Sequence, residues 1–528
     1  MNSFTRPALA AATAVVAITA LSGCSGDDGG GGTDVAEGGT FTLSMVADPG
    51  ALDPQASAVS ALFQLSQFAY DNLLSLDENG DIRAQLASEW AIDGTTVTLT
   101  LNEGITCSDG SDFTAETAVQ NILWIADPEN QSPFLGSFLA PVASAEADGS
   151  TVTIELAAPA PFVLQGLTNV PMVCDAGLAD RSQLSAGTLG TGPYVLTEAV
   201  PNDHYTYEIN EDYAWGPDGA TTQEDGLPST IIARIIPNET TAANLVLSGE
   251  VNAAAIVGPD AQRLESAGLF SQSIEALLGE QWYNQNEAHA TSDPAVRMAL
   301  TQALDLGELQ GVLTSNAGGP ATRLAVIPPS ACDYDAVSGN VPATDVDGAA
   351  AALEAAGWVE GADGIREKDG QTLSLTFLYA NTLGTGGTSA AELAVQQWQA
   401  IGVQVDPVQN DSTTLTGAIF GTGAWDIAWV PLNVSNPDQV VGFVSGPAAP
   451  EGVNFAAIQN ADYDAGVAEA MGMLGIDGCD TWKDAEAALF QAADVVPFAN
   501  SVVKTYGNGA EFVMIDQIVP TSIRMLAD

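Results

Sequence analysis

Alternating hydrophobic and polar residues mark several short segments of the chain as β-strands. Residues 40–46 (TFTLSMV), 96–101 (TVTLTL) and 151–156 (TVTIEL) place an apolar side chain at every second position. This is the period of a strand with one buried face. The last two segments each follow an Asp-Gly dipeptide, which favours a tight turn. The pattern therefore predicts strands bounded by short turns in the first third of the chain.

Helical spacing predicts the elements between and after these strands. Thr114 is a suitable N-cap for a helix that begins just after it. Asp293 and Pro294 pair an N-cap residue with a proline at the first helical position, and apolar residues then recur at helical spacing. Residues 349–356 are strong helix formers, and Gly357 ends that segment.

A β-α-β unit is predicted in the last third of the chain. Residues 373–379 (LSLTFLY) have the composition of a strand, and residues 390–400 that of a helix. Gly402 follows as the C-cap, and residues 403–405 begin the next strand. This order favours a mixed α/β lobe.

The chain is strongly acidic because it contains few bases. It has 12 Lys and Arg against 67 Asp and Glu, a formal net charge of −55. Such a surface repels the phosphates of nucleic acids and anionic lipid headgroups, so we expect no nucleic-acid partner. Two histidines and no CxxC pair predict no metal site or cofactor.

The N-terminal segment predicts export from the cytoplasm. Residues 8–21 are mostly apolar but too few to cross a bilayer, which takes about 20 residues. Residues 21–24 (LSGC) resemble a bacterial lipobox, which implies a signal peptide over 1–23, acylation of Cys24 and a Gly-rich tether over 24–39. The alternative is an ordinary signal peptide in which the cysteine is incidental.

Eight short fragments occur in the order in which one protein family has them. They resemble the extracytoplasmic solute-binding proteins of family 5, the oligopeptide- and dipeptide-type substrate-binding lipoproteins of ABC importers. The fragments are residues 52–54 (LDP), 68–74 (FAYDNLL), 86–90 (LASEW), 108–116 (SDGSDFTAE), 190–194 (GTGPY), 247–252 (LSGEVN), 296–300 (VRMAL) and 355–358 (AAGW).

The resemblance implies an α/β, bilobal periplasmic-binding-protein-like fold of type II with an extra subdomain in lobe I. We expect lobe I over residues 40–272, lobe II over 273–499 and a C-terminal return to lobe I over 500–528. Cys107–Cys174 and Cys332–Cys479 are then the favoured disulfides among three connectivities, because each pair lies within one lobe.

The implied function is capture of a small organic solute, peptide or peptide-like, and its delivery to ABC permease subunits. The protein would be an extracytoplasmic monomer anchored by its lipid, without enzymatic activity. A sensor lipoprotein of the same fold is the alternative, and a surface hydrolase built on this fold is a third hypothesis. Residues 501–504 (SVVK) match the SxxK motif of penicillin-interacting enzymes, but they have the pattern of a strand and lack the accompanying motifs.

The resemblance also nominates residues that line the cleft. They come from the segment after residues 52–54, from the crossover 281–286, from a strand-to-helix loop at 381–387 and from the stretch 425–438. The expected ligand-binding residues are Ser57, Val59, Trp282, Asn284, Thr382, Trp429 and Asn433.

One loop departs from the family pattern. Peptide binders of the family carry an aspartate there that pairs with the α-ammonium group of the ligand, whereas this chain has Leu432 or Asn433. An asparagine suits a hydroxyl or amide, but not a desolvated ammonium group. The alternative is a shifted alignment in which Asp438 or Asp411 supplies the charge.

Overall fold

The computed structural model describes residues 35–57, 59–258 and 260–527, without the side chains of Ser412 and Thr413. The predicted signal peptide and the predicted acylation site, Cys24, lie outside the described residues. Across these described ranges, every helix is too short or too polar to cross a bilayer.

The described strands fall into one large sheet and several small ones. In chain order they are β1 (Thr40–Met45), β2 (Leu74–Leu76), β3 (Ile82–Ala84), β4 (Ala87–Asp93), β5 (Thr96–Leu101), β6 (Val142–Asp148), β7 (Thr151–Leu156), β8 (Tyr194–Val200), β9 (His204–Ile209), β10 (Thr230–Ile235), β11 (Ala253–Ile256), β12 (Phe270–Tyr283), β13 (Val359–Glu360), β14 (Arg366–Lys368), β15 (Gln371–Thr372), β16 (Ser374–Ala380), β17 (Gln404–Asn410), β18 (Ile427–Trp429), β19 (Val495–Gly507), β20 (Ala510–Glu511) and β21 (Arg524–Met525).

The α-helices of the described ranges pack on these sheets. They are α1 (Ser60–Ala69), α2 (Ala115–Ala126), α3 (Val163–Leu167), α4 (Asp175–Ala179), α5 (Glu239–Ser248), α6 (Ala261–Ser266), α7 (Pro294–Gln302), α8 (Leu306–Leu313), α9 (Val346–Ala355), α10 (Gly384–Ala400), α11 (Ser412–Gly417), α12 (Val441–Val444), α13 (Ala461–Ala470) and α14 (Cys479–Gln491).

Two long antiparallel strands, β12 and β19, connect two lobes. The large sheet has the order β17-β16-β18-β12-β19-β11-β1-β10-β9-β8. The first lobe comprises the elements before β12 and those after β19, and the second lobe comprises everything between the two strands. Gly279 of β12 faces the Phe498 ring so closely that a Cβ would lie 2.5 Å from it, so a larger residue would push the two strands apart. The predicted lobe limits, 272/273 and 499/500, fall within β12 and β19.

The first lobe contains a subdomain built on the sheet β4-β5-β7-β6. The alternation predicted for β5 and β7 is confirmed, because Val97, Leu99, Val152 and Ile154 are all buried. Helix α2 packs against β6 and β7. The predicted cap is also confirmed, since the Thr117 N–H donates to Thr114 Oγ1 at 3.3 Å.

The second lobe contains the predicted β-α-β unit. Strands β16 and β17 pair in parallel, and α10 connects them. The prediction of a loop over 381–387 is wrong, because Asn381–Leu383 is a 3-10 turn and α10 already begins at Gly384. Tertiary packing outweighs the low helix propensity of glycine here: a Cβ at Gly386 would lie 2.4 Å from the Leu313 carbonyl oxygen.

Each lobe contains one of the favoured disulfides. Cys107 and Cys174 are bonded in the first lobe, with Cα atoms 6.2 Å apart. Cys332 and Cys479 are bonded in the second lobe, with Cα atoms 5.3 Å apart. At the N-terminal edge of the described chain, Val35 forms a β-bridge with Leu526. That end of the predicted tether therefore lies against the C-terminal segment.

Candidate functional site

The two lobes touch each other beside the first-lobe segment 137–162. Gln439 Nε2 of the second lobe donates to the Ser137 carbonyl oxygen at 3.0 Å. The Gly475 N–H, also of the second lobe, donates to the Pro161 carbonyl oxygen at 2.8 Å. The Phe162 ring is buried among second-lobe side chains that include Trp482. These contacts hold the lobes together around a cleft.

One cavity of this cleft has walls from both lobes. We name it the Asp438 cavity. Its first-lobe wall consists of Gly136, Ser137, Phe138, Ala140, Ala160, Phe162, Val163, Gln165, Gly166 and Asn169, and its second-lobe wall of Ser435, Asn436, Asp438 and Gln439.

Two further cavities share residues with the Asp438 cavity. A larger one is lined by first-lobe residues that include Asp516 and by Pro329 of the second lobe, and we name it the Asp516 cavity. A smaller one has Ser66, Tyr70 and Pro171 on its lining. Asn169 lines all three cavities, so they are neighbouring parts of one cleft.

The chain turns sharply after β18 and brings Asp438 into the cleft. Strand β18 ends at Trp429, and a 3-10 turn begins at Pro437. Asp438 Oδ1 is buried without a hydrogen-bond partner, whereas the Asn436 side chain forms a capping box with Gln439. Burial raises the pKa of Asp438 to about 6, although the Gln439 N–H donates to this carboxyl group and opposes the rise. The carboxylate is therefore incompletely stabilised by the protein.

The lining of the Asp516 cavity also includes residues with buried oxygens that lack a hydrogen-bond partner, and a buried carboxyl group. Ser75 Oγ and Gln85 Oε1, both on its lining, are buried without a partner. Asp516 has a φ of 147°, a conformation that costs a non-glycine residue backbone energy. Burial raises the pKa of its carboxyl group, although Gln517 donates to it. This wall therefore combines backbone strain at Asp516 with buried oxygens of Ser75 and Gln85 that have no hydrogen-bond partner.

Asp71 lies on the same lining but is fully satisfied. Its carboxylate accepts hydrogen bonds from Gln85, Thr191, Tyr213 and Trp215. Burial raises its pKa to about 6, and these four donors limit the rise. Asp71 thus holds the cavity wall in place and leaves ligand contact to its neighbours.

Three residues predicted to bind ligand are in the core of the second lobe instead. Trp429 is 0% exposed; its Nε1 donates to Gln281 Oε1 at 3.1 Å, and its ring packs on Phe377 and Phe498. Trp282 is likewise 0% exposed and donates to the Val430 carbonyl oxygen. Both rings are enclosed and both indole N–H groups are occupied, so the roles of Trp429 and Trp282 as ligand contacts stay predictions.

The third of these residues is Asn284, and it is also a structural residue. It is 3% exposed, and its Nδ2 donates to the carbonyl oxygens of Gly423 and Trp425 at 3.2 and 3.0 Å. Its amide therefore fixes the chain before β18. Asn284 also lines a cavity of the second lobe together with His289 and Phe420, and its role as a ligand contact stays a prediction.

The other predicted ligand contacts lie outside the linings of the three cavities. Ser57 is partly buried, whereas Val59, Thr382 and Asn433 are exposed. Their roles remain predictions. This loop lacks the aspartate of the family pattern, and Asp438 and Asp411 were the two alternatives to it. Asp438 lines the Asp438 cavity. Asp411 instead caps α11 by accepting from the Thr414 N–H.

Sequence reasoning missed several polar groups of the cleft. The missed residues belong to three separate segments of the sequence and to no recognisable binding motif. They are Ser75, Gln85, Asn436 and Asp516. The one local signal is Asn436-Pro437-Asp438, a turn-initiating pattern beside the loop that departed from the family. In the described ranges, no three His, Cys, Asp or Glu side chains are grouped so as to hold a metal ion.

Comparisons with known proteins agree on a family and a fold. Residues 81–446 match the family model described as bacterial extracellular solute-binding proteins, family 5, middle region. Protein XP55 of Streptomyces lividans is 28% identical over 365 residues, which cover 66% of this chain and 62% of XP55. The nickel-binding periplasmic protein of Escherichia coli K12 is 26% identical over 404 residues, which cover 71% of this chain and 72% of that protein.

A solved structure supports the same fold. The ABC transporter substrate-binding protein CtaP of Listeria monocytogenes matches with a TM-score of 0.77 at 20% identity, over 93% of this chain and all of CtaP (100%). This likeness confirms the predicted α/β, two-lobed fold of periplasmic binding proteins. In sequence, the match spans about six tenths of the length of XP55 (62%).

Proposed function

The chain belongs to the bacterial extracellular solute-binding proteins of family 5, and we propose that it is the receptor of an ABC importer. It captures a small organic solute between its two lobes and delivers it to the membrane permease. The observation that carries this proposal is the Asp438 cavity, which has walls from both lobes and the side chain of Asp438 on its lining. The family consists of binding proteins, so no chemical step is part of the proposal.

The proposed mechanism is conformational. A solute that contacts both walls favours the closed arrangement by the difference between its affinities for the closed and open forms. Closure removes water and strengthens each polar contact with the solute. Strands β12 and β19 serve as the hinge, with lobes over 40–272 and 273–499 and a return over 500–528.

The proposal includes the setting in which this receptor works. The family description places it outside the cytoplasm, and we assign a peptide or peptide-like solute as the sequence suggests. Acylation of Cys24 would keep a monomeric receptor at the membrane, next to its permease. A single myristoyl-like chain binds membranes only marginally, whereas two or more acyl chains anchor a protein stably.

Solute retention and closure test the proposed function. The full chain is purified without denaturation, and the solute released on unfolding is identified by mass spectrometry. That solute is then titrated into refolded, solute-free protein, while small-angle scattering follows the radius of gyration. We expect one tightly bound solute and a smaller radius of gyration on binding. A protein that retains nothing, and whose scattering is unchanged by a broad panel of nutrients, would contradict the proposal.

A further inference from the structure

The Cys332–Cys479 disulfide lies where the second lobe meets the first lobe. It joins the segment 329–332 to the segment 474–479, and we name these two segments together the disulfide corner. The described residues 329–332 form neither helix nor strand. In the other segment, a 3-10 turn leads into α14 at Cys479. Because regular backbone hydrogen bonding does not hold the first segment, its position depends on the bonds that its side chains make.

Both segments of the disulfide corner touch the first lobe. Gly80, between β2 and β3, approaches the first segment so closely that a Cβ on it would lie 3.0 Å from the Ser330 carbonyl oxygen. In the second segment, the Gly475 N–H donates to the Pro161 carbonyl oxygen at 2.8 Å. One covalent bond of the second lobe therefore links two separate contacts with the first lobe.

Phe162 of the first lobe packs against the disulfide itself. Its side chain is buried in one cluster with Cys332, and Cys479 packs against that cluster. Among the described residues, the main apolar cluster of the second lobe includes neither cysteine. The bond thus belongs to the contact between the lobes, and the core of the second lobe is formed by other side chains.

The rest of the second-lobe coil has an anchor that does not depend on the disulfide. The Tyr334 hydroxyl donates to Glu486 Oε1 of α14 at 2.9 Å, two residues beyond Cys332. Loss of the bond would therefore release the disulfide corner and leave the coil attached to α14. A cross-link that keeps a contact surface in its bound shape favours binding, since less conformational entropy is lost on contact.

Resting on the proposed function, we infer that the Cys332–Cys479 disulfide is a closure element of the receptor. It keeps the disulfide corner in the shape that fits Gly80, Pro161 and Phe162 when the lobes close. Without the bond, the two segments must be ordered again at each closure, and this cost favours the open form.

Exchange of backbone amides with heavy water tests the inference without knowledge of the solute. The full chain with Cys332→Ala and Cys479→Ala is labelled without solute for seconds to minutes, and peptides that cover 474–478 are weighed. We expect exchange at Gly475 to be about 3- to 10-fold faster than in the unmodified protein, the range for loss of one hydrogen bond. Small-angle scattering should give a larger radius of gyration.

The other disulfide provides the matched control. Cys107 and Cys174 both belong to an apolar cluster of the first lobe, away from the disulfide corner. The variant with Cys107→Ala and Cys174→Ala also lacks one cross-link, but it should match the unmodified protein in exchange at Gly475 and in radius of gyration.

Partial reduction of the unmodified protein gives a second route to the same state, in a chain that has already folded. Cys479 is partly exposed, whereas Cys107 and Cys174 are buried, and thiolate attack on a disulfide requires access to sulfur. A small dithiol should therefore reduce Cys332–Cys479 first. The dithiol is oxidised to a cyclic disulfide and the protein gains two thiols, which alkylation and mass spectrometry locate. Faster exchange at Gly475 should follow, and reoxidation should reverse it.

The outcomes separate this inference from the proposed function. Unchanged exchange and radius after loss of the bond would overturn the inference, and so would equal opening in the control variant. Loss of protection in β16 and β18 at the same labelling times would also overturn it, because the bond would then stabilise the whole lobe. None of these results affects solute retention and solute-driven closure in the unmodified protein, whose absence would overturn the proposed function itself.

Discussion

Phe162 of the first lobe packs against Trp482 of the second lobe, with ring centroids 6.3 Å apart. Phe162 is 4% exposed, and its other neighbours in the cluster are Cys332 and Ala470 of the second lobe. The side chain therefore contributes to the closed arrangement of the lobes and not to the core of its own lobe. Full burial of a phenylalanine stabilises a contact by about 1.5–3 kcal/mol.

We expect Phe162→Ala to shift the protein towards an open form. Without solute, small-angle scattering should give a larger radius of gyration, and solute affinity should fall because closure becomes less favourable by about 1–3 kcal/mol. Phe455→Ala is the control, since Phe455 packs on Trp282 within the second lobe. It should lower the free energy of unfolding by about 3–5 kcal/mol without opening the lobes. Equal radii for Phe162→Ala and the unmodified protein would contradict the assignment.

The buried ion pair between Arg297 and Asp494 is expected to be essential for second-lobe stability. Arg297 Nη2 lies 2.9 Å from Asp494 Oδ1, and the two side chains are 5% and 4% exposed. Asp494→Asn leaves the guanidinium buried without a counter-charge, so the free energy of unfolding should fall by about 3–5 kcal/mol in urea titrations.

The exposed pair Lys504–Glu265 is the control for that experiment. The two side chains are 36% and 48% exposed, and loss of such a surface pair changes stability by about 0–1 kcal/mol. Glu265→Gln should therefore unfold close to the unmodified protein. Similar losses in Glu265→Gln and Asp494→Asn would show that burial does not set the strength of these pairs.

Glu486 should make the protein less stable as the pH rises. Burial raises the pKa of its carboxyl group from 4.5 to about 7, although the Leu324 N–H and the Tyr334 hydroxyl donate to it and oppose the rise. Between these two values the folded state binds more protons than the unfolded state, so the free energy of unfolding decreases with increasing pH. The loss amounts to roughly 3 kcal/mol and is complete above pH 7.

Glu486→Gln removes this dependence because glutamine does not titrate. Urea unfolding of both proteins from pH 4 to pH 8 should show the unmodified protein losing stability relative to Glu486→Gln as the pH rises. Glu392→Gln, an exposed residue of α10, is the control and should show no such difference. Parallel curves for Glu486→Gln and the unmodified protein would contradict the prediction.

Removal of the Cys332–Cys479 disulfide should destabilise the protein more than removal of the other one. Its cysteines are 147 residues apart, against 67 for Cys107–Cys174. In the chain-entropy model, a longer loop restricts the unfolded chain more, and each bond contributes about 2–5 kcal/mol. The two double Cys→Ala variants, each lacking one disulfide, are unfolded in urea. The variant without Cys332–Cys479 should have the lower free energy of unfolding, by less than about 1 kcal/mol. The reverse order would indicate strain or residual structure.

Local patterns predicted many elements correctly because their causes are local. The alternation in β5 and β7 depends only on which face is buried, and the caps at Thr114 and Asp293 satisfy nearby N–H groups. The parallel pair β16 and β17 also follows from composition and order. The start of α10 could not be predicted from local patterns, because it depends on the close packing of Gly386 on Leu313, which is a long-range contact.

The candidate site could be predicted only in part, because burial of its aromatic residues depends on the tertiary structure. Trp429 and Trp282 occupy expected positions in their strands, but whether a tryptophan faces a cleft or a core depends on which lobe surface covers it. Both are enclosed. Asp438 was an alternative on sequence grounds, and its place in the cleft depends on the turn that follows β18.

The sequence by itself determined the periodicity of the strands, the acidity of the chain, the even number of cysteines beyond Cys24 and the resemblance to family 5. Each of these depends on residue identity and on spacing along the chain. Only the tertiary structure decided that residues as distant in sequence as Ser75 and Asp516 line one cavity, that Asp438 lines another with walls from both lobes, and which cysteines pair. Burial and hydrogen-bond satisfaction depend on which segments pack together, so they emerge only once the two lobes meet.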